Sequence, residues 1–390
     1  MIRRPRRLLD PQAIAEDQGS RIPPVSPEPS VAPSFRQASI EDAPAILALL
    51  EAAFVEGWPD FDITVPALDH LLWKMQPPGI ETNHTVGEID GQIIALELRW
   101  MGPALLDGRE LITNDGVDSA VHPDFQGRGY SRIINDAPSR LPQPGDMGID
   151  TPSRNPRLVN STYVGDRNLT DRVVNTWARS LDARTALGTA WRTGGWRRLI
   201  ARLPVGARTL LPSFGATPGL DARYTVREID SFDDRADVLW GAASGQFDVA
   251  RIRRAAYLNW RYDPRSGRSL ILGAFEGDTL AGYVVFRPSG DSAVLADLLT
   301  HPDHPVATAL ARTGADRMRS LGIRQITAWL AAGHPDEPAL ARAGFLNLDL
   351  PVTVQFDEPP GRTGQTGLDI ERFDDPALRM HITAGDFDFV

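Results

Sequence analysis

Apolar and polar residues follow one another in a pattern that predicts a regular order of helices and strands in the first part of the chain. Apolar residues at helical spacing predict one helix over 39–54, capped by its first serine, and a second over 67–75. Strands at 85–89 and 92–100 flank Asp90-Gly91. Because Asp-Gly suits the left-handed residues of a tight turn, this stretch predicts a β-hairpin.

The chain continues with alternating strands and helices, which is typical of an α/β fold. An apolar strand over 111–121 leads through a glycine-containing loop into a helix. That helix carries four apolar residues at the spacing of one helical face: Tyr130, Ile133, Ile134 and Ala137. Further strands are predicted at 147–150 and 172–179, with a helix at 156–163 between them.

The same order of elements starts again after Tyr224. Residues 224–227 repeat the first strand and 230–243 repeat the first helix. Two short stretches recur about 180 residues apart: the hairpin at 87–91 parallels 273–277, and the His-Pro-Asp at 122–124 parallels that at 301–303. Weak similarity in a shared order predicts two copies of one fold.

This repeat divides the chain into five segments: a tail at 1–33, a first domain at 34–182, a basic connector at 183–222, a second domain at 223–357 and an acidic tail at 358–390. The connector is either a basic amphipathic helix for a membrane or an acidic ligand, or a helix between the domains that packs its tryptophans. The acidic tail is either solvated or folds back over a cleft, where it would attract a cationic amine.

Composition narrows the class of protein. The 390 residues include no cysteine, which excludes disulfides and thiolate sites, and no metal site is predicted. A net charge of −10 argues against nucleic acid as a partner. No apolar run reaches the length of a membrane span, and the start lacks a signal peptide, so a cytoplasmic protein is expected.

The loop after the strand at 111–121 carries the clearest chemical signal. Glycines at a strand-to-helix turn let the backbone approach a ligand, and the free N–H groups of the first helical turn then suit a phosphate. The stretch Val-His-Pro-Asp-Phe-Gln-Gly-Arg-Gly-Tyr-Ser at 121–131 resembles the acyl-CoA motif of the GCN5-related N-acetyltransferases, the GNAT superfamily. The motif reads Gln/Arg-x-x-Gly-x-Gly/Ala, and its positions here are Gln126, Gly129 and Ser131, with serine as a small departure.

The resemblance covers 34–182 with the motif and 223–357 without it. It implies an α/β fold with two GNAT-like domains in tandem, each a mixed twisted sheet flanked by helices and splayed open after its fourth strand. Acetyl-CoA is implied as co-substrate in the first domain. The residues implied to bind it are Ala120, Val121, Gln126, Gly127, Arg128, Gly129, Tyr130 and Ser131.

The resemblance also implies a carboxylate base on the fourth strand and a tyrosine acid on a later helix. Asp115 stands where the carboxylate is usually found, although it could instead end a turn. A β-bulge would change which residues face the cleft, which makes Asp118 the competitor and a possible substrate contact. Tyr163 is the candidate acid, and a packed structural tyrosine is the alternative.

The second copy lacks both chemical features, because its loop at 301–308 has no glycine and Leu340 replaces the tyrosine. It is expected to wall the substrate cleft rather than to catalyse. Trp260 and Tyr262 are either substrate contacts there or core residues.

The function predicted from these features is transfer of an acetyl group from acetyl-CoA to a primary amine of a small molecule, such as an amino sugar or a biosynthetic intermediate. The alternatives are a transferase with another acyl donor, either a longer acyl-CoA or an aminoacyl group, and a non-catalytic CoA-binding protein.

Overall fold

The computed structural model describes residues 33–54, 64–77, 82–136, 148–150, 169–182, 221–357, 372–373, 375 and 377–387. The elements of the first half are β1 (Ser34–Gln37), α1 (Ala43–Ala53), α2 (Ala67–Met75), β2 (Thr85–Ile89), β3 (Gln92–Leu106), β4 (Arg109–Val121), α3 (Tyr130–Asp136), β5 (Gly148–Asp150) and β6 (Leu169–Ser180). Those of the second half are β7 (Tyr224–Glu228), α4 (Asp234–Ala243), β8 (Val249–Arg251), α5 (Ala255–Arg261), β9 (Leu270–Glu276), β10 (Thr279–Ser289), β11 (Ser292–Thr300), α6 (Ala307–Ser320), β12 (Gln325–Ala331), α7 (Glu337–Arg342), β13 (Leu346–Asp357) and β14 (Met380–His381).

Tight turns set the registers of the long hairpins. Asp90 and Gly91 have φ angles of +51° and +78°, and Asp107 and Gly108 have +47° and +78°. Left-handed Asp-Gly pairs match the twist of two paired strands, so β2, β3 and β4 follow one another as a meander. The first turn was predicted. The second, between β3 and β4, lies in a stretch that the sequence pattern did not assign.

The two halves exchange strands. Within the described residues the first sheet runs β1-β2-β3-β8-β14, with β4 on the other edge of β3, and the second runs β5-β13-β6-β12-β11-β10-β9-β7. Thus β6 of the first half lies between β12 and β13 of the second, while β8 and β14 of the second half extend the first sheet. Two similar mixed sheets confirm the expected fold class, but the boundaries at 182 and 223 do not separate two independent sheets.

Each half opens between two neighbouring strands, β4 and β5 in the first half and β11 and β12 in the second. In the second half, β11 and β12 pair in parallel only from Ser292↔Gln325 to Leu295↔Ala328, and beyond that point the two strands separate. In the first half, β5 lies alongside β4 but pairs with β13. Both openings match the splay that the sequence resemblance implied.

The hydrophobic core joins the halves. Its largest buried cluster combines Ala104, Leu106 and Leu111 from the β3–β4 hairpin with residues of α4, β8, β10 and the C-terminal segment. Apolar burial is the main favourable term in folding, so this shared cluster ties the halves together, while a separate cluster of α1, α2, β2 and β3 lies within the first half. Among the described residues, no helix has both the length and the hydrophobicity needed to span a membrane.

Residues 377–387 belong to this core. Met380, Ile382 and Phe387 are each at most 4% exposed, and the Asp386 carboxylate accepts a hydrogen bond of 2.8 Å from Arg253. Residues 380–387 are therefore packed rather than solvated, because their apolar side chains lie beside β12 and the Asp386 carboxylate pairs with a buried cation.

Candidate functional site

The glycine loop between β4 and α3 has the geometry of an exposed cradle. A 3₁₀ turn at Pro123–Phe125 begins at His122, whose Nδ1 accepts a hydrogen bond of 3.3 Å from the Asp124 N–H. Gly127 and Gly129 follow with φ angles of +76° and +80°, and both are exposed. A side chain is strained at such angles, so this backbone path requires glycine.

Two side chains of the loop stabilise its backbone conformation through hydrogen bonds to backbone carbonyls. Gln126 donates from Nε2 to the Val121 carbonyl at 3.0 Å, and Arg128 donates from Nη2 to the Asp124 carbonyl at 2.9 Å. Tyr130 is 2% exposed and packs in a small cluster beneath the loop. Among the residues implied to bind the cofactor, Tyr130 and Ala120 have buried side chains, so they can offer only backbone atoms, whereas the Ser131 side chain is half-buried.

A β-bulge at Val117 changes which residues of β4 share a face. Leu98 of β3 lies opposite Asp118, but Arg99 lies opposite Gly116, so Val117 has no partner across the ladder. Trp100 then lies opposite Asp115. Leu98 and Trp100 are two residues apart and share a face, and so therefore do Asp115 and Asp118. In a regular strand these two carboxylates would lie on opposite faces.

Asp118 is paired with the only lysine of the chain. Lys74 lies in the last turn of α2, and its Nζ is 2.7 Å from Oδ2 of Asp118. The two side chains are 3% and 8% exposed, respectively. An opposite charge this close offsets part of the lost hydration of both buried groups.

The Asp115 carboxylate contacts both a hydroxyl and a guanidinium. Its Oδ2 accepts a hydrogen bond of 2.8 Å from Thr113 and forms an ion pair with Arg251 of β8. Burial alone would lower the pKa of Arg251, but Asp115 and Asp386 raise it above its ordinary value. The predicted base is thus part of a buried ion pair that joins the two halves.

Three tryptophans pack beside these carboxylates. Trp73 and Trp260 stack with ring centroids 5.3 Å apart, and Trp100 meets both edge-on. Trp73 and Trp260 also donate from their indole nitrogens to each other's backbone carbonyl, at 2.7 and 3.1 Å. Trp260 and Tyr262 are 5% and 6% exposed, which favours the core alternative over a substrate contact. Trp260 packs α5 against α2, and Tyr262 lies in the large cluster that the two halves share.

Tyr163, the predicted acid, lies outside the described residues, as do most of the connector and Asp388 of the acidic tail.

The second half repeats the carboxylate but not the loop. Asp297 follows a bulge at Ala296, accepts from Arg253 Nε at 3.1 Å and from the Tyr283 hydroxyl at 3.0 Å, and is fully buried. Burial raises its pKa, although Arg253 opposes the shift. The C-terminal segment covers this position, since a Cβ on Gly385 would lie 2.7 Å from the Ala296 carbonyl oxygen.

A pocket of about 230 Å³ lies at the mouth of the second splay, between Thr300, the loop at 301–305 and the start of α7. Asp336 lines it and accepts a hydrogen bond of 3.2 Å from Thr300. Burial raises the pKa of Asp336 to about 6. Pro302 and Pro305 thus stand in the loop that corresponds to the glycine loop, and Asp336 faces them from the start of α7.

Sequence reasoning missed Lys74 and Arg251. It also missed the correspondence between Asp118 and Asp297, although a signal was present: Asp-x-x-x-His-Pro-Asp occurs at 118–124 and again at 297–303. The cations could not be found in this way, because they come from α2 and β8, which are distant along the chain.

Comparisons with known proteins agree with this architecture. The sequence profile of the Acetyltransferase (GNAT) family matches residues 233–345, which lie in the half without the glycine loop. No curated protein is detectably similar to the chain in sequence.

Among solved structures, a tandem GNAT protein from the clavulanic acid biosynthesis pathway is 16% identical with a TM-score of 0.52, covering 83% of this chain and 98% of its own. A GCN5-related N-acetyltransferase from Anabaena variabilis is 10% identical with a TM-score of 0.53, covering 83% and 72%. The Saccharomyces cerevisiae N-myristoyltransferase with bound myristoyl-CoA and inhibitors is 12% identical with a TM-score of 0.51, covering 86% and 82%.

The fold is therefore that of the tandem GNAT proteins. Residues 233–345 match the GNAT family profile, and the first half repeats the architecture of that region.

Proposed function

We propose that the protein is an N-acetyltransferase that moves the acetyl group of acetyl-CoA to a primary amine of a small molecule, and that the first half binds the donor. The observation that carries this proposal is the exposed loop with left-handed Gly127 and Gly129 at the start of α3, beside the opening between β4 and β5.

The loop residues fit a pyrophosphate. A Cβ at Gly129 would meet no other atom within 4 Å, so the space above its backbone is open. The backbone N–H groups of 127–131 would hold the phosphates, with the Arg128 guanidinium nearby at the surface. Gln126 would support this path through its hydrogen bond to Val121.

Acetyl-CoA, when bound, supplies a thioester whose carbonyl carbon accepts the amine nitrogen. The C–N bond forms, the C–S bond breaks, the amine loses one proton and the departing thiolate gains one. A side chain of the protein must therefore accept the proton that the amine loses, and the site must exclude water from the reacting atoms.

Asp118 is better suited than Asp115 to receive that proton. It lies three residues before Val121, about 10 Å along the strand from the loop, whereas Asp115 lies about twice as far away. Asp115 also accepts a hydrogen bond from Thr113 and lies in a buried ion pair with Arg251 that links the two halves. Tyr163 remains the proposed donor to the leaving thiolate, although its spacing from Asn155 is one residue longer than in the family motif and the Gly-Phe that follows there is absent.

A negative overall charge of −10 favours a cationic small molecule over an acidic one as acceptor. The acetyl group is proposed over a longer chain on the sequence motif alone. Because a myristoyl-CoA enzyme shares the fold, donors of increasing chain length should be compared in the same assay.

Calorimetric titration of acetyl-CoA tests the donor site. Wild-type protein is expected to bind at micromolar concentration, and Gly129→Trp to lose binding because its side chain fills the cradle. Gly91→Trp is the matched control, since Gly91 has a similar φ of +78° and equally open surroundings in a turn away from the loop. Equal binding by both variants, or none by the wild type, would overturn the proposed donor site.

A further inference from the structure

The single lysine of the chain lies where a charge is costly. Lys74 is 2% exposed and is the only lysine among 41 basic residues, all the others being arginine. A buried ammonium needs a partner to offset its lost hydration, and Asp118 provides one at 2.7 Å.

The equivalent carboxylate of the second half has a different partner. Asp297 also follows a bulge, but its cation is Arg253, and the pair is sealed beneath the C-terminal segment. Arginine presents a fixed planar set of donors, whereas lysine is a compact point charge on a flexible stem. The half with the glycine loop thus carries the lysine.

The end of α2 holds Lys74 firmly. Its backbone carbonyl accepts a hydrogen bond of 3.0 Å from the Trp100 indole, and the neighbouring Trp73 is fixed by Trp260. These contacts limit the movement of the ammonium along β4. The carboxylate of Asp118 is therefore held between a fixed cation and the face of its own strand.

Two histidines near the Lys74–Asp118 pair add no charge to its surroundings near pH 7. His70 and His84 are buried, which lowers their pKa values to about 2 and about 4, so both are neutral near pH 7. Charged groups near the pair include Asp115 on the same face of β4, Arg261, whose guanidinium lies 5.4 Å from the Trp73 and Trp100 rings, and Arg287, which acts on His70 together with Lys74.

We propose that Lys74 is a positioning residue of the acyl transfer, which holds the Asp118 carboxylate oriented to receive the proton of the acceptor amine. This inference rests on the proposed function. Its ammonium has a second effect, because a nearby positive charge disfavours a protonated amine and so favours the neutral amine that can attack a thioester.

Three variants separate this role from simple packing. Lys74→Met is expected to lower kcat/KM about a hundredfold or more, within the range of lost acid–base assistance, while acetyl-CoA binding by calorimetry stays unchanged. Lys74→Arg restores the charge and is expected to recover most of the rate. Arg179→Met is the control for loss of a buried cation, since Arg179 is 7% exposed in the second sheet and far along the chain from β4.

A measurement without turnover keeps the proposal testable if Lys74→Met folds poorly. Protein labelled with ¹⁵N-lysine should give one side-chain ammonium resonance, because the chain has one lysine. That resonance is expected to shift in Asp118→Asn and to stay in place in Asp297→Asn.

The outcomes are distinguishable. Wild-type protein that binds no acetyl-CoA and acylates no amine overturns the proposed function and this inference with it. Wild-type turnover with an unimpaired Lys74→Met, or with Lys74→Arg as slow as Lys74→Met, overturns the inference alone. A lysine resonance unaffected by Asp118→Asn also overturns it.

Discussion

Two helical glycines of the second half have opposite surroundings. Gly314 lies on the buried face of α6, and a Cβ there would overlap the ring of Phe286, which is fully buried. Gly241 lies exposed in α4, where a Cβ would meet no atom within 4 Å. The same substitution should therefore have opposite effects at the two positions.

We expect Gly241→Ala to raise the free energy of unfolding by about 0.5–1 kcal/mol, because alanine loses less backbone entropy in a helix. Gly314→Ala should lower it by about 1–3 kcal/mol, because the Phe286 ring must move in a packed core. Urea unfolding of both variants measures the two effects. A stabilised Gly314→Ala would contradict the close approach of α6 to β10.

At the scale of elements, His84 joins the end of α2 to β3. Its Nδ1 accepts a hydrogen bond of 3.2 Å from the Arg99 N–H, so its Nε2 carries the proton and faces the Met75 carbonyl at 3.3 Å. Burial lowers the pKa of His84 from 6.5 to about 4. The folded protein therefore holds this ring neutral, while the unfolded chain protonates it below pH 6.5.

This difference predicts a pH dependence of stability. Between pH 6.5 and 4 the unfolded state binds one more proton at this site, so the free energy of unfolding falls as the pH falls, by about 1.4 kcal/mol per pH unit. His84→Gln should remove that part of the slope. Urea midpoints of both proteins from pH 7 to pH 5 give the comparison, and parallel curves would show that His84 is not held neutral.

At the scale of the whole molecule, strand exchange couples the halves. The β6 strand of the first half pairs with β12 along Val174–Ser180 and with β13 on its other edge. The buried Asp115–Arg251 pair crosses between the halves as well. Removing one partner of a buried pair costs about 3–5 kcal/mol, so separation of the halves is strongly opposed.

We expect one cooperative unfolding transition for the intact chain, with equal calorimetric and van't Hoff enthalpies. Residues 221–390 expressed alone should fail to fold, because β12 and β13 would lose the strand between them and expose their edges. Two separate transitions, or a folded second half with dispersed amide resonances, would refute this coupling.

How far the sequence predicts the site depends on the distance between the residues that build it. The Asp90-Gly91 turn, the helix at 67–75 and the glycine loop follow from neighbours in sequence, and each was found at or near its predicted bounds. The bulge at Val117 was foreseen only as an alternative, because a strand that gains one residue leaves no mark in its hydrophobic pattern.

By itself, the amino-acid sequence determined the α/β repeat, the loop with its two left-handed glycines and the acyl-CoA resemblance, because each rests on local backbone preferences and spacing. Only the tertiary structure decided which carboxylate meets which cation. Lys74, Asp118, Arg251 and Asp115 come from three elements that approach one another when strands are exchanged and a bulge turns two carboxylates to one face. That approach depends on packing between distant segments, and no local pattern records it.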